Sequence, residues 1–245
     1  MKEIELIGLG EKLLLHESKC GLKTYMWVNE KVSGAFMTLS VRYGSIHTEF
    51  KINDKIYKVP NGLAHFLEHI KFNIGPNKTA HDVFLKLGSE TNAFTTFQYT
   101  NYLVYSDKYL NESLNGLLSF VYNPYFKKNI ISKEKGIIIE EAKMGIDNPF
   151  YISYYGIFNQ LFHTLKYKNL ITGDPDDVKK ITLKDITDVY NSFYHPLNMV
   201  MCITGNFNPY EMVKIIDEFL DKKEFGDFVE QKIITEKEPK NVVKK

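Results

Sequence analysis

The chain has 245 residues, 44% of them hydrophobic and 14% aromatic, which suffices for one large domain or two small ones with an apolar core. Its 31 lysines and arginines nearly cancel 30 acidic residues, and the basic residues are scattered, so nucleic acid is not an expected partner. The apolar runs fall far short of the roughly 18 to 20 residues of a membrane helix, and the start "MKEIELIGLGEKLLLHE" breaks its leucines with charges, unlike a secretory leader. A cytoplasmic protein with no membrane span is expected, and Cys20 and Cys202, far apart and without a C-x-x-C spacing, read as reduced structural thiols rather than nucleophiles.

In chain order, "GLKTYMWVNE" and "GAFMTLSVRYGS" are rich in β-branched and aromatic residues and predict a hairpin joined by "NEKVS". A loop closing in "KVPNG" follows. Residues 62–72 predict a helix, and "NKTAHDVFLKLG" a second one, with Thr79 as N-cap and Gly88 as stop. "TNAFTTFQYTNYLVYS" predicts another pair of strands. Helical patterns dominate from Leu110 to Tyr194, broken at "NPYF", "DNPF" and "TGDPDD". Within them the aromatics of "YISYYGIFNQLFH" recur at helical spacing and are expected in the core. "NMVMCITG" predicts a short buried strand, and "NPYEMVKIIDEFL" a closing helix capped by Asn208 with Pro209 at its first position. From Lys222 charge rises and periodicity fades, which divides the chain into a domain over 1–221 and a charged linker or tail over 222–245. Strands and helices come in clusters, so the expected fold class is α+β, an antiparallel β-sheet in two layers with helices packed on one face.

"NGLAHFLEHIKF" places three ionisable groups in an apolar segment. On a helix His65 and His69 are one turn apart, with Glu68 on the same side. A single histidine there would ordinarily be a hydrogen-bonded helix-face residue. The full H-x-x-E-H spacing is far more specific: two imidazoles at i and i+4 can hold one Zn²⁺, and the glutamate between them stays off the metal to act as a base. A third ligand is best sought on another helix with an acid on its apolar face. In "NIISKEKGIIIEEAKM", Ile130, Ile131, Ile137, Ile138, Ala142 and Met144 define an apolar arc that contains both Glu134 and Glu141, whereas Glu140 points to its edge. A carboxylate turned into a core costs several kcal/mol unless paired or metal-bound, so one of the two can coordinate while the other supports it. His81, His163 and His195 read as helix-end or turn residues, not ligands.

"GLAHFLEH", followed 72 residues after His69 by Glu141 within "EKGIIIEEAKM", resembles the catalytic domain of the pitrilysin family, which includes insulin-degrading enzyme and the mitochondrial processing peptidase. "GSETNAFTTFQYTNYLVYS", "SFVYNPYF" and "YNSFYHPLNMVMCITGNFNP" are similar to further blocks of that family, so the resemblance covers roughly residues 20–220, nearest to its bacterial processing-protease-like branch. It implies Zn²⁺ as cofactor, His65, His69 and Glu141 as its ligands, Glu68 as general base and Glu134 as support behind the ligands. It also implies that Asn92, Ala93, Phe94 and Thr95 lie on an edge strand that receives an extended peptide. Members usually close two such domains, in one chain or two subunits, around the peptide, with an arginine and a tyrosine supplied by the other half. The expected function is a zinc endopeptidase domain acting on unstructured peptides, active with a second homologous domain or subunit. The alternative is a non-catalytic peptide-binding or scaffold half of a heterodimeric peptidase, which the intact H-x-x-E-H disfavours.

Overall fold

The structure, a computed structural model, describes residues 1–52, 55–162, 165–226, 228, 230, 232 and 233. β1 (Lys2–Leu6), β2 (Glu11–Glu17), β3 (Lys23–Val28), β4 (Ala35–Val41), β5 (Glu49–Ile52) and β6 (Lys55–Lys58) lead to α1 (Leu63–Lys71). β7 (Asn73–Gly75), β8 (Lys78–Thr79), α2 (Ala80–Lys86), β9 (Glu90–Thr95) and β10 (Thr100–Ser106) follow. The helical stretch comprises α3 (Leu110–Tyr122), α4 (Lys128–Ile146), α5 (Pro149–Leu161), α6 (Pro175–Lys180) and α7 (Leu183–Phe193). β11 (Met199–Gly205), α8 (Pro209–Leu220) and β12 (Lys232–Ile233) complete it. His163 and most of the tail assigned from the sequence, residues 234–245 included, lie outside the described residues.

Seven strands form one sheet in the order β1-β2-β3-β11-β4-β10-β9. Every neighbouring pair is antiparallel except β3 and β11. Both strands of the expected hairpin exist, but they do not pair with each other. β11 lies between them, with Ile203 opposite Met26 on one side and Met37 on the other. Met199, Met201 and Ile203 of β11 are buried, and a strand inserted at the centre satisfies its backbone groups on both edges. The loop expected before α1 contains β5 and β6, which β12 from the C-terminal segment joins in a small sheet ordered β12-β5-β6, and the N-terminal segment forms the β1–β2 edge.

Helices cover one face. Met26, Met37, Leu39, Tyr102 and Met201 are fully buried and point to that side, where α1, α2 and α3 pack on β9, β10 and β4. Alternation sends Trp27, Phe36 and Tyr105 to the other face, where they stay 38%, 39% and 39% exposed. α2 starts with a capping box in which Thr79 and Asp82 exchange hydrogen bonds.

Two helices differ from the sequence expectation. The aromatics of α5 are not core: Tyr155 is its one buried residue, while Phe150, Ile157 and Leu161 are 79%, 59% and 58% exposed. The helix packs on α4 and a 3-10 turn at Lys166–Lys168, so one side of it has a partner and the helical spacing of its rings continues on the other. On α4 the buried residues are Ile131, Ile138 and Ala142, and Ile137 and Met144 are exposed. The apolar arc is therefore narrower than the sequence suggests, and Glu134 and Glu141 sit along its border.

Candidate metal centre and peptide edge

α1 is fixed at its start by close backbone contact. Gly62 has φ +83°, and a Cβ on it would stand 2.3 Å from the Thr172 carbonyl oxygen. Gly173, with φ +76°, approaches the Asn61 carbonyl in the same way. The Asn61 side chain donates to Asp177 Oδ2 at 2.6 Å and accepts from the Asn169 amide at 2.8 Å. α1 then runs through the core, burying Leu63, Phe66, Leu67 and Ile70 and leaving His65, Glu68 and His69 on the side facing β9 and α4.

His65 Nε2 lies 3.6 Å from Glu141 Oε1, and His69 Nε2 lies 3.6 Å from Glu141 Oε2. One donor atom from each of the three residues falls within 4.8 Å of the others. His69 Nδ1 faces Glu134 Oε1 at 3.0 Å, so Glu134 takes the rear nitrogen and leaves Nε2 directed at the cluster. The α4 carboxylates thus separate in function-relevant geometry: Glu141, its side chain 45% exposed, faces both front nitrogens, and Glu134, 13% exposed, stands behind one ring. Glu140, pointing outward, pairs with Lys143.

These residues fit Zn²⁺. Two imidazole nitrogens and a carboxylate converge, the donor set and approximate spread that zinc takes in open, three-ligand sites. Burial, followed by the neighbouring His69 charge, lowers the His65 pKa to about 3, so this ring is neutral at ordinary pH and its lone pair is available. Burial alone would lower His69 as well, but the Glu134 hydrogen bond and the charges of Glu68 and Glu141 outweigh it and raise the pKa.

Glu68 stands beside the cluster, buried, with its pKa raised by that burial against the lowering effect of a hydrogen bond from Thr95 and the charge of His69. Thr95 Oγ1 donates to Glu68 Oε2 at 2.6 Å. Sequence reasoning placed Thr95 on the peptide edge but missed this contact; its one trace in the sequence is that Thr95 is two residues from buried Ala93 and so shares its inward face. Asn92 and Phe94 face outward and are exposed. β9 is the last strand of the sheet, so among the described residues its outer edge has no strand partner. The Ala93 N–H bonds the side chain of its neighbour Asn92 at 2.8 Å. An edge of this kind can accept an extended peptide as a further strand.

A one-sided α+β fold, an inverted histidine–glutamate motif on a buried helix and a free sheet edge beside it together define a class, the domain on which inverted-motif zinc peptidases are built. The chain belongs to the insulinase family, peptidase family M16: the profile described as Insulinase (Peptidase family M16) matches residues 30–152, and that described as Peptidase M16 inactive domain matches residues 180–245. It is similar to an uncharacterized zinc protease, YmfH, of Bacillus subtilis strain 168, with 33% identity over all of this chain and 58% of the relative. The zinc protease PqqE of Helicobacter pylori is 28% identical over 70% of this chain and 40% of its own length. Among solved structures, a putative M16-like peptidase from Alicyclobacillus acidocaldarius superposes with a TM-score of 0.91 at 28% identity, covering 96% of this chain and 55% of the other. The matches thus span between 40% and 58% of the length of these proteins. Among the described residues no helix is long and apolar enough to cross a membrane.

Proposed function

We propose that residues 1–221 form the zinc-binding catalytic domain of an endopeptidase that cleaves unstructured peptides and works with a second domain or subunit of the same fold. The observation that carries this reading is the convergence of His65, His69 and Glu141 next to a buried Glu68, outside that group, at a free strand edge. Relatives named zinc proteases support it. Zn²⁺ held by His65, His69 and Glu141 would supply Lewis acidity, polarising a carbonyl and making water easier to deprotonate. Glu68 takes the proton from the attacking water and later passes it to the leaving amine. Thr95 holds the Glu68 carboxylate in place, Glu134 orients His69, and the backbone of Asn92, Ala93, Phe94 and Thr95 aligns the peptide by strand addition. With its two cysteines free, the protein suits a reducing compartment, the cytoplasm.

A non-catalytic peptide-binding or scaffold half is the second reading, favoured by the inactive-domain match. That match covers residues 180–245, which include none of His65, Glu68, His69 and Glu141. Hydrolysis of a mixed peptide pool, with and without a second M16 domain, separates the two. The catalytic reading expects turnover that rises with the second domain and falls at least about a hundredfold in Glu68→Gln. Turnover in the assembly that is unaffected by Glu68→Gln would assign the chemistry to the other half.

A further inference from the structure

Arg42 is the only arginine of the chain. It is exposed, and among the described residues its guanidinium has neither a hydrogen bond nor a carboxylate partner. Arg42 lines a pocket of about 450 Å³ together with Ser40, Tyr99, Leu197, Met199 and Val200. The pocket has a fixed frame: the Arg42 N–H donates to the Asn198 carbonyl at 3.1 Å, and the Asn198 amide reaches back to the Arg42 carbonyl at 3.4 Å and to Phe193 O at 2.9 Å. Apolar walls around an uncompensated planar cation suit a carboxylate borne on an apolar or peptide body, because guanidinium matches a carboxylate in two parallel hydrogen bonds. Across the sheet, Lys23 is the register partner of Val200, and Glu17 that of Lys23.

The pocket lies at the same end of the sheet as the candidate metal centre. Val41 pairs with Thr100, and Thr100 with Thr95, whose hydroxyl holds Glu68. Arg42 follows Val41, next to Tyr99 at the β9–β10 turn. A peptide added outside β9 would lie three strand spacings from β4, about 14 Å, a distance covered by roughly four or five extended residues. The rings of Phe94 and Tyr99, 42% and 41% exposed and 6.1 Å apart, occupy the ground between.

We infer that the pocket at Arg42 is a subsite for a carboxylate of the bound peptide, about four residues from the bond held at Glu68. This rests on the peptidase reading above and gives it a substrate class: peptides with an acidic side chain, or the C-terminal carboxylate, at that distance.

The test is titration calorimetry of the full chain as Glu68→Gln, which prevents turnover, at low ionic strength with three peptides of one length and core. One is amidated with glutamate four residues to either side of the centre, one is neutral with a free C-terminus, and one is neutral and amidated. The first or second should bind about three- to tenfold tighter than the third, and whichever gains identifies the source of the carboxylate. Arg42→Gln should abolish the preference and Arg42→Glu should reverse it. Equal binding of all three, or a preference that survives Arg42→Gln, overturns the inference and leaves the peptidase reading intact. Binding of none overturns both.

Discussion

Thr95 and Glu68 come from different elements, a strand and a helix, and meet at 2.6 Å in a partly buried contact. A hydroxyl donating to a carboxylate steadies its rotamer and tempers its basicity, opposing the upward push of burial. Thr95→Val keeps the shape and removes the donor. In an active assembly it should lower kcat about tenfold with little change in KM and unchanged zinc content, and Thr95→Ser should restore the rate. Loss of zinc, or failure of serine to rescue, would show that Thr95 acts through packing instead. His47 offers a separate check on burial. Its ring is 2% exposed, accepts from the Gly44 N–H at 2.7 Å, and burial lowers its pKa from 6.5 to about 4. Above pH 6.5 the ring is neutral folded or unfolded. As pH falls from 6.5 to 4 the unfolded chain takes up a proton that the folded one refuses, so stability should drop by about 3 kcal/mol across that window. Denaturant unfolding of wild type and His47→Gln measures it, and equal pH slopes would exclude His47 as the source. Of the site residues, His65, Glu68 and His69 were legible because a helix turn sets their spacing locally. Glu134 and Glu141 were legible as a pair on one helix, but their distinct positions depend on how α4 docks against α1, which no local pattern encodes.

At the scale of the element, α1 is placed by its first residues as much as by its apolar side chains. Gly62 and Gly173 interlock with positive φ, and Asn61 ties the junction to Asp177 and Asn169. Gly62→Ala must bear both the left-handed strain and a Cβ 2.3 Å from a backbone oxygen. It should cost about 2 to 4 kcal/mol, whereas Gly88→Ala, with φ +64° and nothing within 4 Å of the added Cβ, should cost about 1 kcal/mol. Thermal unfolding ranks the two variants, and a Gly88 variant as unstable as the Gly62 one would contradict the contact argument. The helix caps were readable from the sequence: Thr79 and Asn208 accept from the following turn as expected. The separation of β3 from β4 was not, because two adjacent strand patterns suggest a hairpin and give no sign that a late strand will enter between them. α5 failed for a related reason. Periodic aromatics mark an apolar face without saying whether this domain covers it, and here Phe150, Ile157 and Leu161 remain open.

For the whole molecule, a seven-stranded sheet covered by helices on one side leaves aromatic and aliphatic surface on α5 and on the outer sheet face. The fold class was legible from the clustering of strands and helices, since that order excludes a regular βαβ alternation. Strand order was not, because β11 pairs with strands far away in the chain. The chain spans 58% of its B. subtilis relative. The proposed chemistry requires one arrangement, in which His65, His69 and Glu141 hold a metal while Glu68, one residue from a ligand, does not. Zinc content per chain, measured by elemental analysis after exhaustive dialysis, tests that arrangement most directly. Wild type and Glu68→Gln should retain about one zinc each, and His65→Ala and Glu141→Ala should lose most of it, with affinity down at least about a hundredfold. Full occupancy in Glu141→Ala, or loss of zinc in Glu68→Gln, would contradict it.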